Sequence, residues 1–357
     1  CPGHVQYTRN TVTGASTADV LVLLVDVRRG VLEQTRRHLA VAALLRVPHV
    51  VVAVNKLDLV DFSAERYQAV DADIRTIAEE LGVESISTIP VSALLGDNVV
   101  DRSTNTPWYE GPTLMELLVS IDPQDEARGP AVDQLPLRFA VQNVLRPQQA
   151  ALSAEHVEYR GYAGVVNQGT VHVGDQVVVL PRGRTTTVVG IDQAPSALSD
   201  GQLQQAFAGQ SVTLRLADEI DITRGDLIAA ADGAPQPVTE LNAMVSWLAD
   251  TPLRIGQRVL LKQTTRTVQA IVRDLEGRLN LDTMTPEPVE HLELNDIGRV
   301  RLKLASPVMA EPYSDSRAMG AFLLVDAQAG LSLAAGMVDD PEAPGIIHSQ
   351  TAFHWTI

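Results

Sequence analysis

Val50-Val51-Val52-Ala53-Val54-Asn55-Lys56-Leu57-Asp58 is the stretch on which the reading of this chain turns. Five apolar residues closed by polar ones predict a short buried strand. A loop at the carboxyl end of a parallel strand is where α/β sheets take their ligands. The residue types suit a guanine base. The Asp58 carboxylate can accept from the ring N–H and the exocyclic amine together, a charge-assisted bidentate pair. The Asn55 amide can bond the ring edge and pin neighbouring loops. The Lys56 methylenes can cover the ring face while the ammonium stays in water. A four-residue match recurs by chance, and alone it reads equally as a polar turn. Its weight comes from Ser92, Ala93 and Leu94, some 35 residues on, again after a short apolar strand at 89–91. At that spacing the two loops form the base-reading half of a nucleotide site. The Ala93 N–H then meets the guanine carbonyl oxygen.

Outward from this stretch the periodicity alternates. Residues 20–27 are a continuous apolar strand through Asp26, and 33–46 read as a helix with Leu39, Ala42, Ala43 and Leu45 inward. A second helix starts at Ser63, carries Tyr67, Val70, Ile74, Ile77 and Leu81 on one face and stops at Gly82. A short helix spans 113–121. Strand–helix–strand order predicts a parallel sheet with helices on its faces. Residues 122–134, with Pro123, Gly129 and Pro130, read as a linker. Beyond it short alternating strands are broken by Gly-Asp and Gly-Arg turns, at 137–145, 161–166, 176–180, 185–191 and 211–217. A break at 234–237 precedes a second set, at 242–248, 258–263, 267–273, 298–304 and 321–325. Two small β-barrels are expected. The expected division is 1–128, 135–234 and 237–338, with an exit linker at 339–357.

The formal charge is −16, from 28 basic and 44 acidic residues. That argues against non-specific nucleic-acid or acidic-membrane binding, which needs clustered Lys and Arg. One cysteine, Cys1, allows no internal disulfide and suits a reducing cytoplasm. No apolar run reaches the roughly 18 residues of a membrane span, and no secretory leader is read. His348 and His354 lack the spacing of a helical metal pair, so no metal ligands are assigned. Asp218, Glu219 and Asp221 read as a solvated turn rather than acid–base machinery, and Trp108 and Tyr109 as packing at the sheet edge. No G-x-x-x-x-G-K-[ST] loop and no Gly-Lys dipeptide occur, so the phosphate cradle is missing from these residues.

Cys1-Pro2-Gly3-His4 resembles the tail of the D-[TC]-P-G-H loop of translation-factor-type GTPases. Further segments extend the likeness: QYTRNTVTGAS at 6–16, GVLEQTRRH at 30–38, VNKLDLV at 54–60, GDNV and PWYEGPTL within 96–117, RGYAG at 160–164, FAG at 207–209, DEIDITRGD at 218–226 and AGMV at 335–338. Together they resemble the GTPase (large) subunit of bacterial sulfate adenylyltransferase, in the elongation-factor-like superfamily. The resemblance implies a partial P-loop GTPase domain, a parallel sheet with helices, followed by two small β-barrels. It implies a regulatory subunit that couples GTP hydrolysis to formation of adenosine 5′-phosphosulfate from ATP and sulfate on a small catalytic partner subunit. It carries nucleotide contacts to Pro2, Gly3, Asn55, Lys56, Asp58, Ser92, Ala93 and Leu94. The Gly3 N–H then meets the γ-phosphate, and His4 orients the attacking water. GTP and Mg2+ are the expected cofactors, the magnesium ligands lying ahead of Cys1. Roughly a hundred upstream residues are expected from the size of whole domains, and the 357 residues alone are expected not to bind GTP measurably. The alternatives are an elongation factor binding aminoacyl-tRNA and a nucleotide-free scaffold.

Overall fold

In the computed structural model, residues 8–83, 85–122, 132–148, 157–193 and 201–339 are described. The amino-terminal part runs α1 (Thr8–Ala15), β1 (Val20–Asp26), α2 (Glu33–Leu44), β2 (His49–Asn55), α3 (Ala64–Glu80), β3 (Ile86–Pro90) and α4 (Leu114–Ser120). The three strands are parallel in the order β1-β2-β3. β2 is the middle strand, so both faces are covered. That is why its valines run without alternation and are almost wholly buried.

α3 begins as its sequence predicts. Ser63 Oγ accepts from the Arg66 N–H, and Tyr67, Val70, Ile74 and Ile77 are buried. Gly82 takes a left-handed conformation, φ 68°, just past the end. α2 differs from its expected one-sided pattern. Every residue from Leu39 to Leu44 is buried, because the second barrel joins the sheet in enclosing it. Met244, Leu248, Leu279, Tyr313 and Met337 belong to the same apolar cluster as α1, α2 and β2. The helix also stops at Leu44, two residues early, where Arg46 turns left-handed.

The first barrel is a closed six-strand circuit. Ser211–Leu216 pairs with Gly161–Gln168, and the order continues through Arg138–Leu145, Leu227–Ala230, Gln176–Leu180 and Arg184–Asp192 back to Ser211–Leu216. The second runs Arg258–Gln263, Ala321–Val325, Ser332–Val338, Val238–Trp247, Ile297–Val308 and Arg266–Asn280, which pairs again with Arg258–Gln263. Closure removes the unpaired sheet edge. Two of these strands were not expected from the sequence, Leu227–Ala230 and Ser332–Val338. Arg266–Asn280 is about twice its expected length, and register shifts bend it around the barrel. The linker at 122–134 and the tail at 339–357 lie largely outside the described residues.

Candidate nucleotide-base site

β1 and β2 end level with each other, Asp26 opposite Asn55. The chain then reverses sharply. Lys56 is left-handed at φ 69°, and a 3-10 turn over Leu57–Val60 carries Asp58 back toward the strand ends. Leu57 is fully buried and fixes this turn, its N–H donating to the Val91 carbonyl at 3.3 Å.

That bond places the second loop. Ser92 is wholly buried, and its Oγ donates to Asp58 Oδ1 at 2.6 Å. Asn55 Oδ1 accepts from the Lys56 N–H at 2.7 Å and from the Ala93 N–H at 3.0 Å. Residues 34 and 38 apart in sequence are thereby tied together. The Gly96 N–H closes the loop on the Ser92 carbonyl at 2.8 Å. Among the described residues no hydrogen bond reaches Oδ2 of Asp58. The Leu94 side chain is 83% exposed, so this residue offers the site backbone more than packing.

Two contacts go beyond the sequence reading. The Ala93 N–H, the group expected to meet the guanine oxygen, donates here to Asn55 Oδ1. The Lys56 ammonium, half exposed to water, stands 3.0 Å from Asp26 Oδ2. Asp26 is the site residue that sequence reasoning missed. Arg28 clamps it through Nε at 3.0 Å and Nη2 at 2.7 Å. The Arg28 bonds, joined by Lys56 and opposed by desolvation, hold the Asp26 carboxyl well below the usual carboxylate range. The sequence ends the first apolar strand at Asp26, but the register that puts Asp26 beside Asn55 comes only with the fold.

The GDNV segment braces the loops from behind. Asn98 is buried, and its Nδ2 donates to the Pro90 carbonyl and to Thr106 Oγ1, both at 2.9 Å. Asp97 Oδ1 accepts from Ser103 Oγ and Asn105 Nδ2. Trp108 packs on Tyr67 of α3, ring centres 5.4 Å apart, and its Nε1 donates to the Phe62 carbonyl. Asp218 accepts from Thr186 Oγ1 and Asp221 pairs with Arg182, which makes both part of the first barrel's own framework. Pro2, Gly3, His4, His348 and His354 lie outside the described residues.

Residues 1–124 match the family described as the Elongation factor Tu GTP binding domain. Residues 240–339 match the GTP-eEF1A C-terminal domain-like family. The structure of Sup35 complexed with GDP aligns with a TM-score of 0.51 at 26% identity, covering 92% of this chain and 80% of that one. A bifunctional enzyme CysN/CysC from Xylella fastidiosa is 42% identical over 99% of this chain and 53% of its own length. Sulfate adenylyltransferase subunit 1 of Saccharophagus degradans is 41% identical over 95% of this chain and 68% of its own length. The chain belongs to the sulfate adenylyltransferase subunit 1 family. Within that family the fold is the one the sequence implied, part of a P-loop GTPase domain and then two β-barrels. The chain spans about half the length of the bifunctional relatives it matches. Among the described residues no helix is long and apolar enough to cross a membrane, and no three His, Cys, Asp or Glu side chains are grouped to hold a metal ion.

Proposed function

We propose that these residues supply the base-reading half of the nucleotide site in a regulatory GTPase subunit of sulfate adenylyltransferase. GTP hydrolysis there drives formation of adenosine 5′-phosphosulfate from ATP and sulfate on a smaller catalytic partner subunit, in the cytoplasm. The observation that carries the reading is the convergence of the Asn55–Asp58 turn on the Ser92–Ala93 loop, in a chain of this family.

Each residue takes a role that its position allows. Asp58 can take the ring N–H and exocyclic amine of guanine on its two oxygens, while Ser92 donates to the remaining lone pair of Oδ1 and sets the carboxylate plane. Asn55 ties the two loops. Ala93 and Leu94 line the base through their backbone. Lys56 covers one face of the ring with its methylenes, its ammonium steered by Asp26. Pro2, Gly3 and His4 belong to the phosphate side, with the Gly3 N–H on the γ-phosphate and His4 on the water. Bound magnesium would neutralise charge developing on the phosphates. The described residues gather no carboxylate cluster for it. The division into domains at 1–128, 135–234 and 237–338, with an exit linker at 339–357, belongs to the same reading.

The test uses the full-length protein. Asp58→Asn should cut the preference for GTP over ATP at least tenfold, because an amide cannot accept from both guanine donors. Unchanged discrimination by calorimetry would remove the assignment. Adenosine 5′-phosphosulfate yield should rise only when the protein, its smaller subunit and hydrolysable GTP are present together.

A further inference from the structure

Two sides of the second barrel are taken up inside the molecule. Met244, Leu248 and Met337 meet α2 in one apolar cluster. The segment 309–320 meets the first barrel. There Glu311 takes both Nε and Nη2 of Arg138, at 2.9 and 2.8 Å, and Met309 and Met319 pack with Ala140, Val178, Leu180, Leu227 and Ala229. A further side is built by the strands Arg258–Gln263, Arg266–Asn280, Ile297–Val308 and Ala321–Val325. Its outward residues Arg258, Lys262, Gln269, Arg273, Lys303 and Leu323 are exposed.

Strand alternation decides what that side presents. Val259, Leu261, Val268, Ala270 and Val272 point into the barrel and are buried. Their neighbours point out. Strand pairing puts Leu260 between Val325 and Gln269, Ile271 between Arg258 and Lys303, and Lys262 beside Leu323. The result is a groove of about 480 Å³ lined by Arg258, Leu260, Gln269, Ile271, Arg273 and Lys303. Its floor is aliphatic and its rim is cationic.

The rim is left with positive charge. Lys303 meets Glu240 at 3.5 Å, but both side chains are largely in water, and such a pair has little weight. Among the described residues the side chains of Arg258, Lys262 and Arg273 have no ion-pair partner. Other cations of this barrel do: Arg278 pairs with Glu287 at 2.6 Å, Arg299 with Asp339 at 2.8 Å and Arg301 with Glu276 at 2.7 Å. Asp326, beside Ala327 of the groove, accepts instead from the Gln328 and Ala329 N–H groups of its own turn. In a chain of net charge −16, this is a place where charge complementarity asks for an acidic occupant.

The shape narrows the choice. Closure of the barrel leaves no strand edge for an added strand. The floor has no ring for a base to stack on, which argues against nucleic acid. A second copy brings like charge, and a two-fold pair would set these cations against themselves. With strands 4.7–4.9 Å apart, the floor across four strands is roughly 14 Å wide, the length of about nine helical residues. We infer that this face docks an acidic amphipathic helix of a separate partner protein. Leu260, Ile271 and Ala305 take its apolar side chains, spaced i, i+3 or i+4, and i+7. Arg258, Lys262, Arg273 and Lys303 take the carboxylates on its flanks.

The test is binding of a labelled synthetic peptide to the full-length protein, read by fluorescence anisotropy. The peptide has about fourteen residues, with Leu on one helical face and Glu at the flanking positions. A control peptide has the same composition with its leucines spread around the helix. The parent should bind the first at least fivefold more tightly than the control. Arg258→Ala combined with Arg273→Ala should weaken binding at least tenfold, and Ile271→Ser at least threefold. Arg182→Ala, at a cation of the first barrel paired with Asp221, should change nothing. On the unsubstituted protein, added salt should weaken binding steeply, a reading that no folding defect can mimic. Equal binding by the parent and the double variant, equal binding of the two peptides, salt-insensitive binding, or no binding at all overturns the inference. So does a single-stranded RNA that the parent binds and the double variant loses, since the face would then be a nucleic-acid site.

Discussion

Asn55 uses one side-chain oxygen to hold two backbone N–H groups, its neighbour's and that of Ala93. Replacing it by alanine frees the second loop from the first. We expect Asn55→Ala to lower stability by about 1–2 kcal/mol, read as a fall in urea midpoint at constant m-value. His38 gives the molecule a pH response. Its Nε2 lies 2.8 Å from Gln34 Nε2, and burial, aided by Arg37, pushes its pKa below 6.5. The folded state therefore keeps the ring neutral, while the unfolded chain takes up a proton as pH falls through about 6.5. Stability held above that pH should drain away between about 6.5 and the lower folded value. His38→Gln should flatten the slope of the urea midpoint between pH 7.5 and 5.5; an unchanged slope would assign it to other groups.

α4 shows how a short helix is fixed by its ends. Thr113 Oγ1 accepts from the Glu116 N–H at 3.2 Å, and Glu116 Oε2 accepts from the Thr113 N–H at 2.8 Å. Thr113→Ala should cost about 1 kcal/mol, measurable by denaturation and confined to local exchange at 114–117. Such elements were legible in the sequence because their signals are local: caps, a stop glycine, an apolar stripe. β2 was legible for the same reason, as were the two loops after β2 and β3. The strands Leu227–Ala230 and Ser332–Val338 were not. LIAA and SLAAGMV lack alternating β-branched residues, and they are strands because neighbours on both sides need partners. The full burial of α2 was hidden likewise, since the residues enclosing it come from beyond position 240. Asp26 escaped because only the strand register sets it beside the Asn55–Lys56 loop.

At the scale of the whole chain, one buried cation joins the two barrels. Arg138 is 2% exposed, and besides Glu311 it donates to the carbonyls of Leu137 and Gly233. Glu311→Ala leaves that charge without its carboxylate, at a cost of about 3 kcal/mol. Guanidinium unfolding should then show the first barrel melting ahead of the second, where the parent loses both together. A single unchanged transition would mean that the apolar cluster around Met309 and Met319 suffices to join them. The same pair has a consequence in time. Arg138 and Glu311 are 173 residues apart, and ribosomes add roughly 5–20 residues per second. The first barrel's last strand ends at Ala230, so once complete it waits the 81 residues from there to Glu311, roughly 4–16 s, for its counter-ion to be synthesised. During that interval the guanidinium must stay hydrated, and the barrel face that meets Met309 and Met319 stays uncovered. A nascent chain stalled near residue 300 should present that face to chaperones, and release should follow within a few seconds of residue 320 leaving the exit tunnel.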